Sequence, residues 1–194
     1  MTFDLIGFFD GACEPHNGHY NPGGGMGMGV LFKTTPGMVS NILTVEQGSE
    51  NLIYKAFKAV AGDPPGCPKH EMKNSNNVAE YRAFIHALYV LEQLQKDFKG
   101  FKKVLICGDS QLLIRQMARF IPDHRTNQGQ TYGIKNGIYV PLAQKASQMV
   151  QTFENLHLWW VAREDNQEAD ALSIQALAEI GIQPKENKKH SLTS

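Results

Sequence analysis

VLICGDSQLLIRQMAR, residues 104–119, contains the decisive unit of this chain in sixteen letters. Val104 to Cys107 is an unbroken apolar run flanked by lysines on one side and Gly108-Asp109 on the other, the pattern of a strand buried on both faces. Gln111 to Arg119 then reads as a helix. Asp109 stands between the two, at the carboxyl end of a central strand, where open α/β sheets place their ligands. The stretch is a βα unit with a carboxylate at its turn.

Toward the N-terminus the pattern changes. Leu5 to Phe9 is a short apolar run that stops at Asp10-Gly11, and Met26 to Lys33 and Met38 to Val45 follow as strand candidates with glycine-rich or Pro-Gly punctuation between them. Three successive strands without a helix predict an antiparallel meander. Asn51 to Ala61 has a helical look, whereas Gly62-Asp63-Pro64-Pro65-Gly66-Cys67-Pro68 is incompatible with regular structure. We read residues 46–75 as an insertion with one short helix. From Val78, Phe84, Leu88, Leu91, Leu94 and Phe98 recur at spacings of four and three, predicting an amphipathic helix that ends near Gly100 and is capped by Asn76 or Asn77.

Beyond the central unit, Phe120 to Tyr139 is polar and glycine-containing, Pro141 to Phe153 is helical, Leu156 to Val161 is a strand and Gln167 to Ile180 a closing helix. Residues 1–181 are expected to form a single domain, and 182–194 a polar tail. A length of 194 residues suits one core. Lysine plus arginine equals aspartate plus glutamate, 19 each, so net charge points to no partner. Three widely spaced cysteines, Cys13, Cys67 and Cys107, predict a reduced, cytoplasmic setting. No apolar run approaches the roughly 20 residues that cross a bilayer, so no membrane association is expected.

Four carboxylates lie where solvent-facing ones do not. Asp10 shares a strand face with Ile6 and Phe8; Glu80 is one turn before Phe84 and falls on the inward stripe, in the first turn of its helix; Asp170 shares a face with Ile174 and Leu177. Asp109 ends its strand. Each has a local explanation as a cap or a helix-dipole partner. Together, converging like charges raise one another's pKa and call for a cation. Oxygen-only donors select hard divalent ions, Mg²⁺ or Mn²⁺. Two such ions roughly 4 Å apart activate water and stabilise a leaving oxygen in phosphoryl transfer.

The order of motifs resembles type 1 ribonuclease H. Asp10-Gly11-Ala12-Cys13, Asn21-Pro22-Gly23-Gly24, Asn76-Asn77-Val78-Ala79-Glu80, Asp109-Ser110-Gln111 and Ala169-Asp170-Ala171-Leu172 match that family's motifs in sequence order. The resemblance implies an α/β, ribonuclease H-like fold: a five-stranded mixed sheet, three antiparallel strands then two parallel, flanked by helices. It also implies two Mg²⁺ (or Mn²⁺) ions held by Asp10, Glu80, Asp109 and Asp170. Asp10 would bridge both, Asp170 would support the nucleophile-side ion, and Glu80 and Asp109 would hold the other. The activity implied is endonucleolytic hydrolysis of the RNA strand of an RNA/DNA hybrid by a monomer, leaving 5′-phosphate and 3′-hydroxyl ends. RNA is told from DNA through its 2′-hydroxyl. By similarity Asn21, Asn77 and Gln111 line the minor groove beside Cys13 and Asn76, and the Ser75 hydroxyl faces a DNA-strand phosphate.

The chain departs from the family in two places. Val161 to Glu168 has no histidine where many members carry one, and Arg163, seven residues before Asp170, takes that place. A guanidinium does not act as a base at neutral pH, so its role there would be electrostatic; its local alternative is a surface pair with Glu164 or Asp165. Asp165 is also the rival to Asp170 as fourth ligand. The basic protrusion that grips the hybrid in many members is replaced by scattered Arg119, Arg125, Lys135 and Lys145. Cys67 and His70 lack the second ligand pair of a zinc site. Of Trp159 and Trp160, at least one must face the core. The competing functions are a catalytically silent binding module of the same fold and a 3′–5′ exonuclease, the latter disfavoured because Asp10 is followed by Gly11-Ala12 and not by a D-x-E pattern.

Overall fold

The structure, a computed structural model, describes residues 3–14, 24–34, 52–63, 73–98 and 101–183. Five strands form one sheet: β1 (Leu5–Glu14), β2 (Gly25–Thr34), β3 (Leu52–Ala61), β4 (Val104–Gly108) and β5 (Leu156–Trp160). Their order is β3-β2-β1-β4-β5, with β1–β2 and β2–β3 antiparallel and β1–β4 and β4–β5 parallel. Four α-helices complete the fold, α1 (Asn76–Asp97), α2 (Gln111–Met117), α3 (Val140–Val150) and α4 (Gln167–Glu179). This is the mixed sheet expected of a ribonuclease H-like fold. β4 is buried along its whole length, as its unbroken apolar run requires.

Two expectations are corrected. The third strand is Leu52–Ala61, inside the stretch read as an insertion with a helix, while the proposed strand at Met38 to Val45 lies outside the described residues. The misleading signal was the spacing of Leu52, Ile53, Ala56, Phe57 and Val60, which suits one helix face. β3 is an edge strand, half-buried on both faces, so pairing with β2 outweighs that local pattern; its exposed Lys55 and Lys58 discourage further strand addition. The second correction concerns the start of α1. Its cap is Ser75, whose Oγ accepts a hydrogen bond from the Val78 N–H at 3.2 Å. Asn76 and Asn77 therefore lie within the first turn, and Glu80 in the second.

Helices α1 and α4 cover opposite faces of β1 and β2. On the α1 side Phe9 meets Phe84 with ring centroids 5.1 Å apart, and the stripe Phe84, Leu88, Leu91 and Leu94 is buried as predicted. On the α4 side Ala169, Leu172, Ser173, Ala176 and Leu177 face the sheet. There the backbone of α4 nearly touches β2: a Cβ at Gly27 would lie 2.0 Å from the Ser173 carbonyl oxygen, and one at Gly29 would lie 2.4 Å from that of Ala169. Only glycine admits so close a crossing. Trp159 packs with Phe3 at 5.3 Å, and Trp160 lies against the main core. Among the described residues no helix is long and apolar enough to cross a membrane.

Candidate active site

The site arises from unequal strand lengths. β1 pairs with β4 only through Phe8, because β4 ends at Gly108, yet β1 continues to Glu14 alongside β2. Asp10 thus lies within β1 and not at its end, just past the last β4 partner, with one flank open. Asp109 follows β4 directly into that opening. Glu80 reaches it from α1, whose backbone comes close because residue 11 is glycine: a Cβ there would lie 2.2 Å from the Ala79 carbonyl carbon and 2.3 Å from the Glu80 nitrogen.

Asp10, Glu80 and Asp109 each offer an oxygen, and these atoms lie within 4.8 Å of one another. Asp10 and Glu80 are buried and Asp109 half-buried. Burial is the main reason the Asp10 carboxyl is pushed up to about 6; the Ser173 hydrogen bond opposes it, and the charges of Asp109 and Asp170 add to it. Burial, followed by the charges of Asp10 and Asp109, drives Glu80 well above the usual carboxylate range. Glu80 Oε2 is buried and has no hydrogen-bond partner. A buried acceptor left unsatisfied among like charges is costly unless a cation completes it. The donor set, oxygens only, fits a hard divalent ion.

Asp170 stands apart from this trio. It lies in the first turn of α4, accepts a short hydrogen bond from Arg163 Nη2, and adds to the negative field at Asp10. Burial lowers the Arg163 guanidinium, but the charge and hydrogen bond of Asp170 outweigh it and raise its pKa overall. Arg163 therefore pairs with Asp170, and not with Glu164 or Asp165. Asp165 is exposed, in the 3₁₀ turn Arg163–Asp165, and is not one of the clustered carboxylates.

The expected substrate residues are less uniform. Asn76 and Asn77, half-buried, and Gln111, exposed at the start of α2, belong to the helix starts that deliver Glu80 and follow Asp109. Ser75 is buried and its oxygen caps α1, leaving its proton to donate. Cys13 is packed in the main core cluster. Asn21, like Cys67 and His70, lies outside the described residues.

Three residues near the site were not anticipated. Asn166, fully buried, donates from Nδ2 to the Phe9 carbonyl at 3.0 Å and to Asp109 Oδ1 at 3.1 Å, joining β1 to the carboxylate after β4. Trp160 Nε1 donates to the Asp109 carbonyl at 3.0 Å. The Ser173 hydroxyl hydrogen-bonds Asp10 Oδ2. The one available signal was at Ser173, a polar residue three after Asp170 on an otherwise apolar face.

The reverse transcriptase-like family profile matches residues 65–176, more than half of the chain, including Glu80, Asp109 and Asp170. The chain belongs to the reverse transcriptase-like family. The fold of this reverse transcriptase-like chain is similar to that of the N-terminal RNase H domain of Rv2228c from Mycobacterium tuberculosis, with a TM-score of 0.62 and 20% identity over 93% of this chain and 97% of that one. RNase H1 from the halophilic archaeon Halobacterium salinarum is similar at a TM-score of 0.59 and 20% identity, over 90% and 98%. A foamy viral protease-reverse transcriptase, solved in complex with an RNA/DNA hybrid, matches at 0.55 and 12%, over 91% of this chain and 20% of that one. At these identities the likeness establishes the ribonuclease H-like fold.

Proposed function

We propose that this chain is a hydrolase that cleaves the RNA strand of RNA/DNA hybrids, with Mg²⁺ or Mn²⁺ held by Asp10, Glu80, Asp109 and Asp170. The observation that carries this reading is the trio of Asp10, Glu80 and Asp109 within 4.8 Å, the first two buried and the third half-buried, with Glu80 Oε2 unpartnered. So concentrated a negative charge is a poor core and a good cation site. The family membership, and the likeness to ribonucleases H and to a reverse transcriptase solved with a hybrid, support the substrate class.

When bound, a pair of divalent ions would lower the pKa of water to yield the attacking hydroxide and stabilise the leaving 3′-oxygen. The chain's own residues supply the frame. Asp10 and Asp109 are held by hydrogen bonds from Ser173 and Asn166, so their carboxylates are oriented before substrate arrives. Arg163, paired with Asp170 and more than half exposed, presents a permanent positive charge to a phosphate beside the acidic site. Asn76, Asn77 and Gln111 offer amides for minor-groove contact, and Cys13, Asn21 and Ser75 complete the proposed substrate set. Products would carry 5′-phosphate and 3′-hydroxyl ends.

The test is cleavage of a uniformly labelled RNA/DNA hybrid in Mg²⁺ or Mn²⁺ by the wild type, Asp10→Asn and Asp109→Asn. Internal cuts confined to hybrid RNA and lost in both variants are expected. Cleavage that survives either substitution, equal attack on single-stranded RNA, or release of 3′-terminal nucleotides alone would overturn the reading.

A further inference from the structure

Ser173 occupies an unusual position. It is fully buried on the face of α4 that rests against the sheet, where its described neighbours on that face, Ala169, Leu172, Ala176 and Leu177, are apolar. Serine is a poorer helix former than alanine, and a buried hydroxyl without a partner is destabilising. A local solution exists, because Oγ lies 2.9 Å from the Asp170 carbonyl oxygen three residues earlier. That carbonyl, however, is already placed to accept the next helical N–H four residues on. The hydroxyl has one proton, and the other oxygen in reach is Asp10 Oδ2, which is also the closer. A carboxylate is the stronger acceptor of the two.

The packing is built for this contact. Asp10 pairs directly with Gly29 across β1 and β2, so both face α4. A Cβ at Gly29 would lie 2.9 Å from the Ser173 nitrogen, and one at Gly27 would meet the Ser173 carbonyl oxygen. The alternate glycines of residues 25–29 thus let the turn of α4 that carries Ser173 settle onto β2 beside the strand that carries Asp10. Any side chain there would hold the hydroxyl away.

We infer that Ser173 is a positioning residue: its hydroxyl grips one oxygen of Asp10 from the α4 side and leaves the other to a divalent ion shared with Glu80 and Asp109. The inference rests on the metal-site reading above. Loss of an outer hydrogen-bond partner to a metal ligand weakens ion affinity by 10- to 100-fold as an order of magnitude. The hybrid does not touch a side chain buried under α4, so its KM is expected to stay near the wild-type value while the ion concentration giving half-maximal rate rises.

The experiment is calorimetric titration of Mn²⁺ into the substrate-free wild type, Ser173→Ala and Ser173→Thr, with circular dichroism melts of the ion-free proteins. Alanine is expected to bind Mn²⁺ about tenfold or more weakly than wild type, and threonine, which keeps the hydroxyl, within about twofold of it. Equal affinity of wild type and alanine would overturn the inference and leave Ser173 as a residue bonded within its own helix. An equal loss in alanine and threonine would assign the effect to packing and overturn it too. No Mn²⁺ binding by the folded wild type would overturn the metal-site reading itself, and the role of Ser173 with it.

Discussion

Gly11 rests directly on the peptide that joins Ala79 to Glu80: a Cβ at position 11 would come within 2.2 Å of the Ala79 carbonyl carbon and 2.4 Å of its oxygen. The contact is backbone on both sides, so no flexible side chain is there to move away. Gly11→Ala would push α1 off β1 and carry Glu80 away from Asp10. We expect destabilisation of about 1–3 kcal/mol, typical of overpacking, measured by urea unfolding. Hybrid cleavage at a temperature where both proteins are folded is expected to fall by more than the folded fraction does.

Asp10 makes the stability of the ion-free protein depend on pH. Its folded-state pKa of about 6 lies above the ordinary 3.8, so folding favours the protonated acid. Well below pH 3.8 the group is neutral in both states and costs nothing. As pH rises from about 4 to 6 the unfolded chain ionises first, and stability falls by about 3 kcal/mol from this group, then levels off. Glu80, also raised, acts in the same direction and extends the window upward. Denaturant melts of ion-free wild type and Asp10→Asn should therefore diverge with pH, the variant being the more stable at pH 7. A wild type that gains stability over this range would contradict the assignment.

Divalent ions should reverse that order. Mg²⁺ binds only the folded site and is expected to raise the wild-type melting temperature as its concentration increases, but not that of Asp10→Asn or Glu80→Gln. The same two substitutions are expected to reduce hybrid cleavage about 1000-fold or more, because they remove a ligand from the proposed centre. Differential scanning calorimetry with a steady-state assay measures both effects.

Arg163 separates stability from turnover. Its side chain is 62% exposed in the pair with Asp170, and an exposed ion pair contributes about 0–1 kcal/mol. Arg163→Gln should leave the melting temperature within about 4 °C of wild type. If the guanidinium faces scissile or product phosphate, kcat falls about tenfold or more. Kinetics indistinguishable from wild type would leave the residue as an Asp170 partner alone.

Asn166 should affect stability and turnover together. Its amide is fully buried and bonded to both the Phe9 carbonyl and Asp109. Asn166→Ala leaves the carbonyl without that donor, and a loss of about 1–3 kcal/mol is expected in chemical denaturation. Activity should fall further, since Asp109 loses an orienting bond.

Legibility in the sequence followed the range of each signal. Val104 to Gly108 could be placed because a doubly buried strand is apolar at every position, and α1 because Phe84, Leu88, Leu91 and Leu94 repeat at helical spacing. β3 reads as a helix in the sequence because an edge strand is only half-buried and its pattern carries no clean alternation. The two asparagines place the cap of α1 one or two residues late, because they compete with Ser75 for a role that depends on backbone angles.

Which carboxylates turn inward is legible from the chain alone, since side-chain direction follows from local periodicity and needs no neighbours. Asp10, Glu80 and Asp170 are found that way, and Asp109 from its place at the end of a buried apolar run. How they meet depends on packing: β4 stops short of Asp10, three of the four form one group while Asp170 pairs with Arg163, and Ser173 and Asn166 hold two of them. Such contacts join residues up to 163 positions apart. They depend on how closely two backbones pack, and that distance is set by glycines on one element and small residues on the other, a pairing that no single stretch of chain encodes.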